Sequence, residues 1–192
     1  VASLGAHALL MGLIGHDQAG EQLEALLHQK NITSHLVKLP GATTIVKNRV
    51  MSRQQQMIRL DFEIPYGQWP QEKFLEKYDG LLSSVDAVIL SDYAKGTLAD
   101  FNQLITLARQ KDIPVLIDTK GKDFEKYKNA TVITPNLHEF ETVVGACVNL
   151  EEIEAKGEEL RALLGLEAVL ITRSEKGMSL ISKQQSPLHI PT

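Results

Sequence analysis

The sequence predicts an α/β fold, a doubly wound and mostly parallel sheet in three layers, and three observations carry that reading. Short continuous apolar runs such as "VDAVILS", "IPVLID", "ATVIT" and "EAVLITR" do not alternate, as strands buried on both faces require. Segments of helical spacing separate them, as with Leu98, Phe101, Ile105 and Ala108. Polar clusters follow the runs at "SDYAKG", "DTKGKDF", "TPNLHE" and "TRSEKG", where open parallel sheets place their ligands.

The elements follow in order. "ALLMGLIG" reads as a buried strand, and Asp17 caps a helix whose Leu23, Leu26 and Leu27 share one face. A β-rich stretch runs from about His35 to Phe62. In it Ile58, Leu60 and Phe62 alternate with Met57, Arg59 and Asp61. "YGQWPQEK" is turn-like and leads into a helix ending near Leu82. The α/β alternation then begins, with "NLHEFETVV" as a short helix and "LEEIEAKGEELRALL" as a longer one with Gly157 as its weak point. "EAVLITR" and "GMSLIS" close the alternation as strands, and "SPLHIPT" is β-like.

The 192 residues are 43% hydrophobic, enough for one sizeable core and hence one compact domain. A formal charge of −4 provides no broad basic field, so no nucleic-acid partner is expected. Cys147 is the only cysteine, which excludes a disulfide framework and a cysteine zinc site and fits a reducing, cytoplasmic compartment. No apolar run reaches the ~18–20 residues of a spanning helix, so no membrane association is expected. Both ends read as cut. Residues 1–192 are therefore expected to be the interior segment of a single domain in a longer protein.

Each motif carries a plain reading beside a functional one. Asn136 with Glu139 three residues on matches a capping box, which every helix start can use. The same two side chains could instead organise a magnesium ion and its waters beside nucleotide phosphates. Thr172, Arg173, Ser174, Lys176 and Gly177 suit a hairpin turn, or a nucleotide-pocket lining. Asp118, Lys120 and Lys122 make a polar loop. Asp92 and Lys95 suit a salt-bridged loop. Lys47, Arg49 and Arg53 fall on one face by period two, either solvated or receiving an anionic, phosphorylated substrate. His138 reads as a solvent-facing first-turn residue and Cys147 as packing. The histidines show no metal spacing, and no Walker A, G-x-S-x-G or G-x-G-x-x-G sequence occurs.

Four such strand-end motifs in this order, with "VASLGA", "RLDFE", "LSDYAKG", "VLIDTKGKDFEKY", "TPNLHEFE", "LITRSEKGMSL" and "PLHIPT", resemble the ribokinase (PfkB) family of sugar kinases. Within it the closer likeness is to the heptose 7-phosphate kinase branch, over nearly the whole chain. The resemblance implies a ribokinase-like fold with part of a small β lid, lacking both ends of the domain. It implies ATP and Mg²⁺ as cofactors, with ATP contacts at Asn136, Leu137, His138 and Glu139 and with Glu139 reaching Mg²⁺ through water. Lys120, Thr172, Ser174 and Gly177 fall to the nucleotide side, and Lys47, Arg49, Arg53, Asp92 and Lys95 to the substrate side. The implied substrate is a sugar phosphate, D-glycero-β-D-manno-heptose 7-phosphate, taken to the 1,7-bisphosphate in ADP-heptose and lipopolysaccharide core synthesis. A homodimer is implied for the complete protein.

Departures from the family pattern matter as well. Its G-A-G-D turn, which carries the catalytic base, is absent from the chain, so the base is expected beyond Thr192 and the segment alone is expected to be inactive. Thr119 stands where the family has Pro, and Ser174 where it often has Gly. Another sugar or nucleoside kinase of the family, or a non-catalytic α/β binding or oligomerisation module, remains an alternative.

Overall fold

The computed structural model describes residues 1–64, 66, 69, 71–98 and 100–192. Positions 67, 68 and 70 of the turn-like "YGQWPQEK" segment lie outside the described residues, as do positions 65 and 99. The rest divides into two compact units, Val1–Phe74 with Lys95–Thr97, and Leu75–Ala94 with Leu98–Thr192.

In the first unit, a 3-10 turn at Ala2–Leu4 precedes β1 (Leu9–Gly15), α1 (Gln18–Gln29) and β2 (Thr33–Leu39). β1 and β2 pair in parallel, in register Leu13↔Val37, with α1 as their crossover. Asp17 caps α1 by accepting from the Gly20 amide at 2.9 Å. It also takes the Thr44 hydroxyl at 2.6 Å and the Thr44 amide at 2.7 Å, which hold its pKa below the ordinary Asp value. Leu27 is buried, but Leu26 is 54% exposed. The expected shared face is therefore narrower than three leucines, because adjacent helical positions sit ~100° apart.

β3 (Val46–Ser52) and β4 (Gln55–Phe62) form a separate antiparallel ribbon. Its register puts Val50 opposite Ile58 and Val46 opposite Phe62 on one face, with Lys47 opposite Asp61 and Arg49 opposite Arg59 on the other. The alternation is real, yet every residue of β4 is exposed.

The second unit holds the main sheet. After α2 (Glu72–Leu82), whose first residues belong to the first unit, come β5 (Val88–Ser91), α3 (Phe101–Arg109), β6 (Val115–Asp118), β7 (Val132–Ile133), α4 (Leu137–Val144) and α5 (Leu150–Leu164). β8 (Ala168–Thr172), β9 (Met178–Ser182) and β10 (Leu188–Ile190) complete it. The strand order is β10-β9-β8-β7-β6-β5, with β5 to β8 parallel and the last two antiparallel. This is the mixed, mostly parallel sheet that the apolar runs predict.

The core lies along the sheet, where Val115, Ile117, Ile133, Phe140, Val169 and Ile171 have no solvent exposure. Gly157 is not a weak point of α5, which runs unbroken. A Cβ there would come within 3.1 Å of Ile181, so the glycine lets the helix lie close on β9. Edge strand β10 is tied down by His189, which bonds the Ser179 hydroxyl at 2.9 Å and Glu154 of α5 at 2.8 Å. Among the described residues no helix is long and apolar enough to cross a membrane.

Candidate active site

Because β5 to β8 run parallel, their carboxyl ends share one edge of the sheet, and the polar clusters of the sequence gather there. The centre is the start of α4. Asn136 Oδ1 accepts from the Glu139 amide at 2.9 Å, and the Asn136 amide donates to Glu139 Oε2 at 3.2 Å. The capping box is therefore present in both directions. Asn136 also bridges in parallel to Thr172, whose amide donates to the Pro135 carbonyl at 3.0 Å. The helix start is thus locked to the end of β8.

Glu139 is also approached from the end of β6. The buried Thr119 donates its hydroxyl to Oε2 at 3.4 Å, and Lys120 Nζ stands 3.5 Å from Oε1. Both contacts are long, so the carboxylate is oriented but keeps free acceptor capacity. Thr119, in place of proline, adds a donor that proline lacks. His138 is exposed, as its place in the first turn requires. Leu137 is half-buried beside it. Asp118 accepts the Ser91 hydroxyl at 3.1 Å.

Thr172, Ser174 and Gly177 belong to the tight β8–β9 hairpin, closed by the Arg173 amide on the Gly177 carbonyl at 2.7 Å. Ser174 has φ 52°, a left-handed conformation, which accounts for the family's glycine there. Gly177 has φ 79°, and a Cβ would lie 1.9 Å from the Ile190 carbonyl oxygen, so only glycine fits. The hairpin reading of these residues is therefore what the structure shows. Arg173 is grouped with these residues in the sequence, but its side chain carries no assignment of its own there. Its Nε is buried and has no hydrogen-bond partner among the described residues. Its position inside "TRSEKG" was the available signal.

Asp92 differs from expectation. It does not pair with Lys95 but accepts from Lys126 Nζ at 2.6 Å, the Tyr127 hydroxyl at 2.7 Å and the Ala94 amide at 2.8 Å. Burial raises its pKa, but these three donors outweigh burial and hold it below the ordinary Asp value. Only 5% exposed, it anchors the end of β5. Lys95 belongs to the first unit, where it pairs with Glu63 at 2.6 Å.

The basic residues of the first unit are not one row. Lys47 lies near Asp61 (3.6 Å) and Glu63 (3.4 Å). The register shifts between Val50 and Met51, where β4 carries the extra residue Met57, and Arg53 lies past the end of β3 in the hairpin turn with φ 55°. Arg49 remains on the charged face, opposite an Arg59 that is already bonded to Asp61 at 2.9 Å. Among the described residues Arg49 has no ion-pair partner. Cys147 takes no part in the site; burial raises its thiol pKa, which fits packing rather than nucleophilic use.

Comparison with known proteins finds relatives over the whole chain. The model of the pfkB family carbohydrate kinases matches residues 1–192. The bifunctional protein HldE of Haemophilus ducreyi is 49% identical over 192 residues, and that of Escherichia coli O1:K1 is 50% identical. Both matches cover 100% of this chain, which spans 40% of the length of those relatives. Among solved structures, phosphofructokinase-2 from Escherichia coli in complex with fructose-6-phosphate superposes with a TM-score of 0.76 at 18% identity, covering 99% of this chain and 64% of its own. Arabidopsis thaliana ribokinase complexed with ribose and ATP gives 0.78 at 17% identity, covering 99% and 62%.

Proposed function

The chain belongs to the pfkB family of carbohydrate kinases, and on that premise we propose that the complete protein phosphorylates D-glycero-β-D-manno-heptose 7-phosphate with ATP at its anomeric oxygen. The product is the 1,7-bisphosphate, an intermediate of ADP-heptose and lipopolysaccharide core synthesis in the cytoplasm. The observation that carries this reading is the doubly bonded Asn136–Glu139 helix start at the carboxyl edge of the sheet. Heptose specificity comes from the sequence motifs shared with the heptose kinase branch. The two compact units make one kinase domain in this reading.

In-line phosphoryl transfer needs positioned reactants, charge neutralisation and a base for the hydroxyl. The Asn136 and Glu139 amides serve the capping box, which leaves the Leu137 and His138 amides at the positive end of α4 for phosphate oxygens. Thr172, Ser174 and the hairpin backbone line the nucleotide side, with Lys120 beside them. Mg²⁺, when bound with ATP, supplies charge neutralisation. Glu139 suits it, as an oriented carboxylate with free lone pairs. Among the described residues no group of three or more His, Cys, Asp or Glu could hold a metal directly. Glu139 would therefore hold the ion through water. Asp92 is committed to Lys126 and Tyr127 and is no base. The base belongs to sequence beyond Thr192 in this reading.

The two faces of the β3–β4 ribbon fit a lid. Arg49 on the charged face suits the distal phosphate of the sugar. The opposite face exposes Val50, Ile58, Leu60 and Phe62, which fits a homodimer of the complete protein.

The test is to supply the complete protein with Mg²⁺, ATP and the heptose 7-phosphate, fructose 6-phosphate, ribose or adenosine. A heptose 1,7-bisphosphate product, with kcat/KM about a hundredfold above the others, supports the reading. Preference for another acceptor makes it a different kinase of the family, and turnover of none makes it a binding module. In the same assay Arg49→Ala should raise KM for the sugar phosphate about tenfold, ~1.4 kcal/mol, and leave KM for ATP within about twofold. Lys47→Ala and Arg53→Ala should do less. An Arg49→Ala enzyme with unchanged sugar-phosphate KM would show the basic face to be merely solvated.

A further inference from the structure

The loop that carries Lys120 is held from behind by a hydroxyl that the nucleotide assignment does not use. Tyr127 has no solvent exposure and closes the short 3-10 turn Glu125–Tyr127. Its ring meets Phe101 edge-on at 5.1 Å between centroids and lies tilted against Phe124 at 5.7 Å. Those contacts need only a ring, and phenylalanine would supply them. The hydroxyl needs partners of its own, because an unpaired polar group at full burial is costly.

Its partners lie on two different strand ends. It donates to Asp92 Oδ2 at 2.7 Å and accepts from the Lys120 amide at 3.0 Å, with the Lys120 carbonyl at 3.2 Å as a second, longer contact. Asp92 is ionised and doubly anchored, by Lys126 Nζ at 2.6 Å and the Ala94 amide at 2.8 Å. It is therefore the stronger acceptor, and binding to it turns the phenol's lone pair toward Lys120. Lys126 is itself fixed over the Phe101 and Tyr127 rings, 5.3 Å and 5.0 Å from their centroids. The end of β5 thereby locates the backbone of Lys120, the second residue of the loop after β6. From that residue the Lys120 ammonium reaches Glu139 Oε1 at 3.5 Å.

We propose that Tyr127 is a positioning residue of the nucleotide side. Its hydroxyl relays the buried Asp92 anchor to the Lys120 backbone and so sets where Lys120 and the Glu139 carboxylate stand. The role rests on the assignment of the Asn136–Glu139 turn to ATP. A merely structural hydroxyl would contribute stability and nothing more. Tyr78 provides that comparison, since its buried hydroxyl donates to the Leu104 carbonyl at 3.1 Å, away from the Lys120 loop.

The experiment compares Tyr127→Phe and Tyr78→Phe in the complete protein by two measurements. Amide hydrogen exchange at Lys120 is followed without nucleotide, and KM values for ATP and sugar phosphate are measured alongside ADP affinity. Tyr127→Phe should speed exchange at Lys120 about fivefold and raise KM for ATP by a similar factor, ~1 kcal/mol. KM for the sugar phosphate should stay within about twofold, and Tyr78→Phe should change none of these. Unchanged Lys120 exchange in Tyr127→Phe overturns the relay, as does an equal rise in ATP KM for both variants. Wild-type protein that binds no ADP overturns the nucleotide assignment and the positioning role with it. Normal wild-type binding with unchanged variant values overturns the positioning role alone.

Discussion

If the proposed function holds, Glu139→Gln in the complete protein should lower kcat about 30- to 1,000-fold, ~2–4 kcal/mol in barrier, and raise the Mg²⁺ concentration needed for half-maximal rate. The fold should survive because the substitution keeps the cap. Glutamine serves at the third position of a capping box, and its carbonyl oxygen can accept from the Asn136 amide as Glu139 Oε2 does at 3.2 Å. What is lost is the charge. The favourable field of the α4 N-terminus on a carboxylate amounts to ~0.3–1 kcal/mol, and the Lys120 contact at 3.5 Å is long. Stability should therefore fall by no more than about 1 kcal/mol while catalysis falls by several times that. The measurement is a magnesium titration of initial rates with a denaturation curve beside it. An unchanged titration with unchanged kcat would remove Glu139 from the metal side. Equal losses in stability and rate would make it a cap and nothing else.

Local patterns in the sequence account for much of the site. The capping box at Asn136 is written in residues three apart, and the cap at Asp17 is equally local. The parallel sheet follows from apolar runs that do not alternate, and its carboxyl edge follows from the polar clusters behind them. What stayed illegible depends on distant partners. Nothing near "SDYAKG" names Lys126, 34 residues on, as the partner of Asp92. The neighbouring Lys95 is a shorter inference but turns instead to Glu63. Arg53 left the basic row because β3 ends at Ser52 and Arg53 turns the hairpin with φ 55°, and no period-two count shows where a strand ends. Gly157 looked like a helix weakness since propensity is a local quantity, whereas the space it leaves is filled by Ile181 from another element.

Asp92 gives the largest expected effect on stability. Asp92→Ala should cost the complete protein ~2–4 kcal/mol at pH 7. Removing one partner of a buried ion pair generally costs ~3–5 kcal/mol, and here it would also leave the Ala94 amide without its acceptor. The value should sit somewhat lower because the Lys126 side chain is 30% exposed and can regain water. The Tyr127 hydroxyl can likewise turn to the Lys120 carbonyl. An exposed pair such as Asp79–Lys111 would contribute only ~0–1 kcal/mol. The pH dependence has a definite sign. The pKa of Asp92 is lower folded than unfolded, so its stabilisation is fully present above the unfolded value near ~4 and is lost as pH falls through the folded value. Asp17, Asp61 and Glu63 also have lowered pKa values, but they are common to both proteins and cancel in the difference. The gap between wild type and Asp92→Ala should therefore be constant from about pH 5 to 7 and narrow below about pH 4. Urea unfolding of both proteins across that range measures it. A gap under about 0.5 kcal/mol at pH 7, or one that widens on acidification, would show that Asp92 is not the ionised anchor of β5. It would then be free for the substrate, as "SDYAKG" read alone suggests.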